Sequence, residues 1–264
     1  MEFDKIIKAI IDTLNTIKST HTTLVNAVRA AVAKFFQHLA QQIEQMMADL
    51  GSTLLQVMTA IGKAIEQAGD PLKLHQVGEK WSKSIGATAS DTGGRFNPAK
   101  LPTYDEWDGI AADAYKRIVD PQKTALDETK AVADKVQEVL DNMATGIVTA
   151  WSGVLVAVTS FATKIFAAAV TAATGVGAPV AIGIAVAAVA EFAGMITTIF
   201  TTLGAYIGAT VVPSARTLNQ TVTDNGAFPV GAWPTTTSVL NDSSYRNVDK
   251  NEPESHINWH MKRA

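Results

Sequence analysis

The stretch Lys164–Glu191, KIFAAAVTAATGVGAPVAIGIAVAAVAE, decides how the chain is read. Nothing between its two ends is charged, and in its middle TGVGAP (Thr174–Pro179) places two glycines and a proline where a chain reverses. The same composition extends outward: from Met143 to Val212, Lys164 and Glu191 are the only charged residues. The pattern predicts a hairpin of two long apolar helices, about 144–173 and 180–212, with Gly175, Gly177 and Pro179 at its tip. Its charge-free runs, 165–190 and 192–212, are long enough to cross a bilayer, which takes ~20 residues. Two uses are open. The hairpin is either a core element enclosed by other helices or a membrane-inserting element of the kind that forms a pore. Small residues at Gly146–Ala150 and Gly183–Ala187 would let helices approach closely in lipid. The many threonines and alanines leave each span only marginally hydrophobic, and Lys164 and Glu191 would be costly in mid-membrane unless paired with each other.

Upstream, apolar residues recur at spacings of three and four from Phe3 through Ile10, Leu14, Ile17, Leu24, Val28, Val32, Ile43, Leu50, Leu54 and Ile61 to Ile65. That is the periodicity of an amphipathic helix. Unbroken it would be about 100 Å long at ~1.5 Å per residue. Ser19–Thr23 and Gly51–Ser52 are the expected weak points. His21 falls on the apolar stripe, which fits a ligand or a pH switch, although a hydrogen-bonded core histidine is the plainer expectation. The stripe itself is core, or a surface for a partner helix.

A shorter helix is expected from Pro71 to about Ile85, completing an amphipathic segment over 1–86, followed by a loop over 87–103 rich in Gly, Ser, Thr, Asp and Pro. Thr103 and Glu106 form a capping-box pattern that opens the next helix, over 104–142. Asp120–Pro121 should kink or restart it. After Pro213 the chain is polar and rich in turn formers, so 213–264 reads as an extended tail docked by Phe228 and Trp233. No segment alternates convincingly enough to be a strand. The fold class is all-α: an elongated bundle of long helices containing the apolar hairpin.

Little in the chain promises catalysis. There is no cysteine, and the 22 basic against 25 acidic residues give no nucleic-acid signature. No phosphate-cradling loop or His-Glu-x-x-His helix is present, and GVGAP lacks the flanking strand of a dinucleotide site. His256 and His260 have the i, i+4 spacing of a metal pair but lie in the tail beside only Glu252 and Glu254. Asp105, Glu106, Asp108 and Asp113 surround Trp107, but carboxylates in a first helical turn ordinarily offset the helix dipole. The expectation is a protein that is not an enzyme and needs no metal or cofactor. Asp4, Lys5, Lys8 and Asp12 interrupt any apolar signal-peptide core at the start.

Trp107–Asp108–Gly109, followed by IAADAY, resembles the signature of the WXG100 superfamily, helical hairpins exported by type VII (ESX) secretion systems. The resemblance covers Thr103 to Leu140 and rests on the Trp-Asp-Gly-x-Ala-Ala-Asp-Ala-Tyr context; a bare Trp-x-Gly recurs at Trp151–Gly153. It implies that Trp107, Gly109 and Tyr115 shape a helix-turn motif, with alanines at 111, 112 and 114 admitting a neighbouring helix. Typical members are about a hundred residues, whereas this chain adds the apolar hairpin and the tail; its layout is also similar to that of α-helical pore-forming toxins. The superfamily's Tyr-x-x-x-Asp/Glu export signal is matched by Tyr245 and Asp249. The resemblance therefore implies a secreted or surface protein without a signal peptide that acts as effector, partner or assembly subunit. Its partners would be another helical protein or a second copy, the secretion machinery, and a membrane. A pore-forming protein and a soluble cytoplasmic scaffold are the alternatives.

Overall fold

A computed structural model describes residues 2–97, 100–101, 106–108, 110–223, 226–228, 232–234 and 260–261. Helix α1 spans Phe3–Phe35, and a 3-10 turn at Gln37–Leu39 leads into α2, Ala40–Glu66. Helix α3, Pro71–Lys80, continues through a π turn at Trp81–Gly86 into α4, Ala87–Arg95. Then follow β1 (Trp107–Asp108), α5 (Ile110–Ala173), α6 (Ala178–Tyr206), a π turn (Ile207–Val211), α7 (Val212–Thr223) and β2 (His260–Met261). The fold is all-α. Among the described residues the only sheet is the two-residue antiparallel ladder that pairs Trp107 with Met261 and Asp108 with His260. The residues form two units: Met1–Lys73 with Asn142–Thr210, and Leu74–Asp141 with Val211–Ala264.

The first unit is a four-helix core of α1, α2, the second part of α5, and α6. Each helix contributes one stripe: Ile6, Ile10, Leu14, Ile17, Leu24 and Val28 from α1; Ile43, Met47, Leu50, Leu54 and Ile61 from α2. They meet Trp151, Val154, Val158, Phe161 and Ile165 of α5 and Ile182, Val189 and Phe192 of α6. Phe161 and Phe192 stack with centroids 4.6 Å apart and planes 7° apart, and Trp151 meets Phe200 edge-on at 6.2 Å. Burial of each large apolar side chain stabilises by roughly 1.5–3 kcal/mol.

The long N-terminal helix breaks at neither expected point. Both Ser19–Thr23 and Gly51–Ser52 are helical, and the chain reverses instead at Phe36 (φ −130°, ψ 31°). The hydroxyls explain the first case. Thr16, Ser19, Thr22 and Thr23 each donate to a carbonyl three or four residues earlier, so a polar run is accommodated inside the helix. The reversal uses no Gly or Pro; the Leu39 amide donates to the Phe36 carbonyl at 2.9 Å.

In the second unit the helix from α3 to α4 runs antiparallel to the first part of α5. Three glycines set the distance. A Cβ on Gly78 would lie 3.2 Å from Cα of Gln137, one on Gly86 3.4 Å from Cβ of Ala133, and one on Gly93 3.5 Å from Leu126. Ser82 donates to Asp134 at 2.9 Å across the pair. The loop expected over 87–103 is therefore helical to Arg95: Gly93, which suggested flexibility, lies on the contact surface of a helix. Pro121 does not restart α5, which is helical on both sides of it. The helix expected over 104–142 is the first part of α5, which opens at Ile110, after Trp107 and Asp108 in the ladder; Thr103, and with it the expected capping box, lies outside the described residues. Likewise the first part of the expected tail is α7. Its later part docks where the Gln122 side-chain amide donates to the Pro234 carbonyl at 3.0 Å, while Phe228 and Trp233 pack on each other at 6.2 Å.

Candidate functional site: the apolar hairpin

The hairpin tip is built by Thr174–Pro179. Gly175 has φ +79°, a left-handed conformation that ends α5. Thr174 Oγ1 donates to the Thr171 carbonyl at 2.8 Å and accepts the Gly177 amide at 3.1 Å. A Cβ on Gly177 would stand 2.5 Å from the Thr171 carbonyl oxygen, so glycine is required there for space. Gly177 is the N-cap of α6, and Pro179 stands in its first turn, where a missing amide hydrogen costs nothing. Gly175, Gly177 and Pro179 thus form the turn that the sequence assigns them. Phe35, at the end of α1, lies over Gly175, whose added Cβ would come within 2.9 Å of its ring.

Away from the tip, α5 and α6 approach through small residues. Gly146 faces the Tyr206 ring, where a Cβ would be 2.7 Å away, and Gly153 faces Ile199 at 3.4 Å. The Gly183–Ala187 pair serves differently. Gly183 has no atom within 4 Å of a Cβ position, and with Ala187 it lines a groove of about 430 Å³ between α6 and α2. Apolar side chains from Leu39, Ile43, Met46, Ile182 and Val186 make most of its wall.

The hairpin is not enclosed. Its most apolar helical windows, within 112–173 and 178–222, have mean hydropathies of 1.8 and 2.0, yet only 39% of each is buried. Val156, Phe166, Val170, Val176, Val180 and Val186 are exposed large apolar side chains on this element, Val176 at 69%. Much of the rest of the exposed surface is Thr, Ala and Gly, and five threonine hydroxyls donate to the carbonyl four residues earlier: Thr159, Thr163, Thr171, Thr197 and Thr198. Such hydroxyls need no water. The two charges of the region, Lys164 and Glu191, pair with each other across the hairpin.

His21 departs from its plainer expectation. Its Nε2 is buried without a hydrogen-bond partner, and burial holds the imidazole below its ordinary pKa. His75, in the second unit, behaves oppositely. Its Nδ1 lies 2.7 Å from Asp141, whose hydrogen bond and negative charge raise the imidazole pKa. Asp134 is held low, first by the hydrogen bond from Lys130. Sequence reasoning did not find the His75–Asp141 pair, because the partners are 66 residues apart.

The remaining candidates are scattered. Trp107 is placed by its backbone in β1, Tyr115 is half-buried on α5, and Gly109 lies outside the described residues. Tyr245, Asp249 and His256 also lie outside them, and His260 is placed only by its backbone, in β2. Among the described residues no three His, Asp or Glu side chains are grouped to hold a metal ion. Comparison with protein-family models, with curated proteins and with solved structures finds no match, so the geometry of the chain itself has to carry its functional reading.

Proposed function

We propose that the chain is a non-enzymatic helical protein that acts at membranes, with the 144–212 hairpin as its inserting element. One observation carries this reading: two helices with the length and hydropathy of membrane spans have only 39% of their most apolar windows buried, and leave large apolar side chains such as Val156, Phe166 and Val176 exposed. A soluble core hairpin would bury them. Internally bonded threonines and the Lys164–Glu191 pair lower the cost of transfer, because lipid penalises each unsatisfied polar group and each isolated charge. Dye release from liposomes tests the reading. Release by the full chain supports it; a chain that stays soluble and releases nothing at any pH excludes it and leaves the exposed face for a protein partner.

The export class is a second reading, favoured by the Trp107–Tyr115 context and by the helix pair that brackets it. Helix α3–α4 lies antiparallel to the first part of α5, and Trp107 and Asp108 fall between them in the chain. An antiparallel helix pair around this segment supports the resemblance to the WXG100 superfamily. Type VII secretion would then deliver the protein to the surface or medium. Deleting the tail from Tyr245 in a host with that machinery should abolish export; unchanged secretion removes Tyr245 and Asp249 as a signal.

A further inference from the structure

The half-buried histidine of α1, with its Nε2 shut away from solvent, offers a way to control when the hairpin is released. His21 sits between the core residues Ile17 and Leu24 on the stripe that α1 turns inward. Its ring edge faces Gly51 of α2: a Cβ there would lie 3.7 Å from Cε1 and 3.9 Å from Nε2. Gly51 is inside α2, so the backbone that the ring meets has its carbonyls engaged in helical hydrogen bonds. Nε2 is therefore buried against a surface that has no acceptor to offer, and it has no partner. A neutral imidazole can leave that nitrogen as a bare lone pair. An imidazolium carries a proton there with nowhere to donate it.

We propose that the His21–Gly51 contact is an acid-sensitive latch, which holds α1 and α2 over the apolar hairpin at neutral pH and loosens when His21 takes up a proton. This rests on the membrane reading only for its consequence, since the latch itself is a property of the α1–α2 contact.

The surroundings leave the proton uncompensated. Lys18, one turn earlier on α1, is exposed and of the same sign. On α2 the nearest acid in sequence, Asp49, is exposed and already accepts from Gln45 at 2.9 Å. On α5 and α6 of this unit, Lys164 and Glu191 engage each other. Burial alone sets the ring's lowered affinity for protons. The sign follows. The opened state has the ordinary histidine pKa, near 6.5, and the closed state a lower one, so below about 6.5 the opened state binds more protons and gains population as pH falls. Above that value the latch holds fully. A single proton allows at most about a tenfold change in the opening equilibrium per pH unit.

Hydrogen exchange of the full chain without lipid, corrected for intrinsic rates, reads the latch directly. Protection over Ile17–Leu24 and Leu50–Leu54 should fall between pH 7.5 and pH 5.5 in the unmodified protein. It should not fall in His21→Leu, or in His21→Gln, which keeps a polar side chain without titrating. His75→Gln should retain the full response. An equal fall in the unmodified protein and both His21 variants overturns the latch. Dye release from phosphatidylcholine–phosphatidylglycerol vesicles at the two pH values then separates the two proposals. A His21-dependent change in exchange with no release at either pH keeps the latch and removes membrane action. Release together with an exchange response that is the same in the unmodified protein and in both His21 variants keeps membrane action and removes the latch.

Discussion

At the scale of single residues, the two tip glycines are required for different reasons, and substitution should separate them. Gly175 is needed for its positive φ, which costs an L-residue about 1–2 kcal/mol, while the nearby Phe35 ring can shift aside. Gly177 has ordinary backbone angles but no room, and the obstruction is a carbonyl oxygen that cannot rotate away. Gly175→Ala should therefore lose about 1–2 kcal/mol in urea unfolding. Gly177→Ala should lose about 1–3 kcal/mol with a disturbed turn, visible as faster exchange of the Thr174–Ala178 amides. His75 offers a test of opposite sign to His21. Its pKa is raised by Asp141, so what it adds to stability is fully present below about pH 6.5 and is lost as pH rises through the higher folded-state value. His75→Asn should lower the melting temperature at pH 6, by an amount that shrinks with added salt because the pair is exposed, and should change nothing at pH 9.

At the scale of elements, core and hairpin follow from patterns that a sequence displays, whereas reversals and close contacts do not. The stripe Ile6–Ile10–Leu14–Ile17 and its continuation in α2 are visible as a 3.6-residue period, and their burial follows. The α1–α2 reversal at Phe36 is hidden because no Gly or Pro marks it; tertiary packing of two stripes on one core decides it. Gly86 and Gly93 misled for the converse reason. Taken locally, glycine means a breaker, yet these glycines face α5, a partner distant in sequence, and the close approach offsets their helical cost. The tip was legible because Gly175, Gly177 and Pro179 act through local backbone geometry, and the Lys164–Glu191 pair because no other charge was available to either. Restoring side chains to the glycine face tests this account. Gly78→Leu should destabilise the second unit by about 1–3 kcal/mol through overpacking against Gln137. Gly94→Leu, at a position with open space around it, should leave stability within about 1 kcal/mol.

At the scale of the whole molecule, the ion pair that closes the hairpin distinguishes action in lipid from action in water. Lys164 and Glu191 are both partly exposed, and a pair of that kind contributes about 0–1 kcal/mol to a protein in water. Replacing both, as Lys164→Gln with Glu191→Gln, should accordingly leave the melting temperature and the oligomeric state almost unchanged. In a bilayer the account differs, since a pair near the centre of two spans is tolerated only as a pair and still carries a transfer cost. The double replacement should therefore increase dye release from vesicles. Glu191→Gln alone should decrease it, because an unpartnered lysine would have to enter the hydrocarbon. A scaffold that keeps its hairpin in water would show neither change. The order of release, double variant above unmodified protein above single variant, is the outcome that membrane action requires, and equal release by all three would show that this part of the hairpin never leaves water.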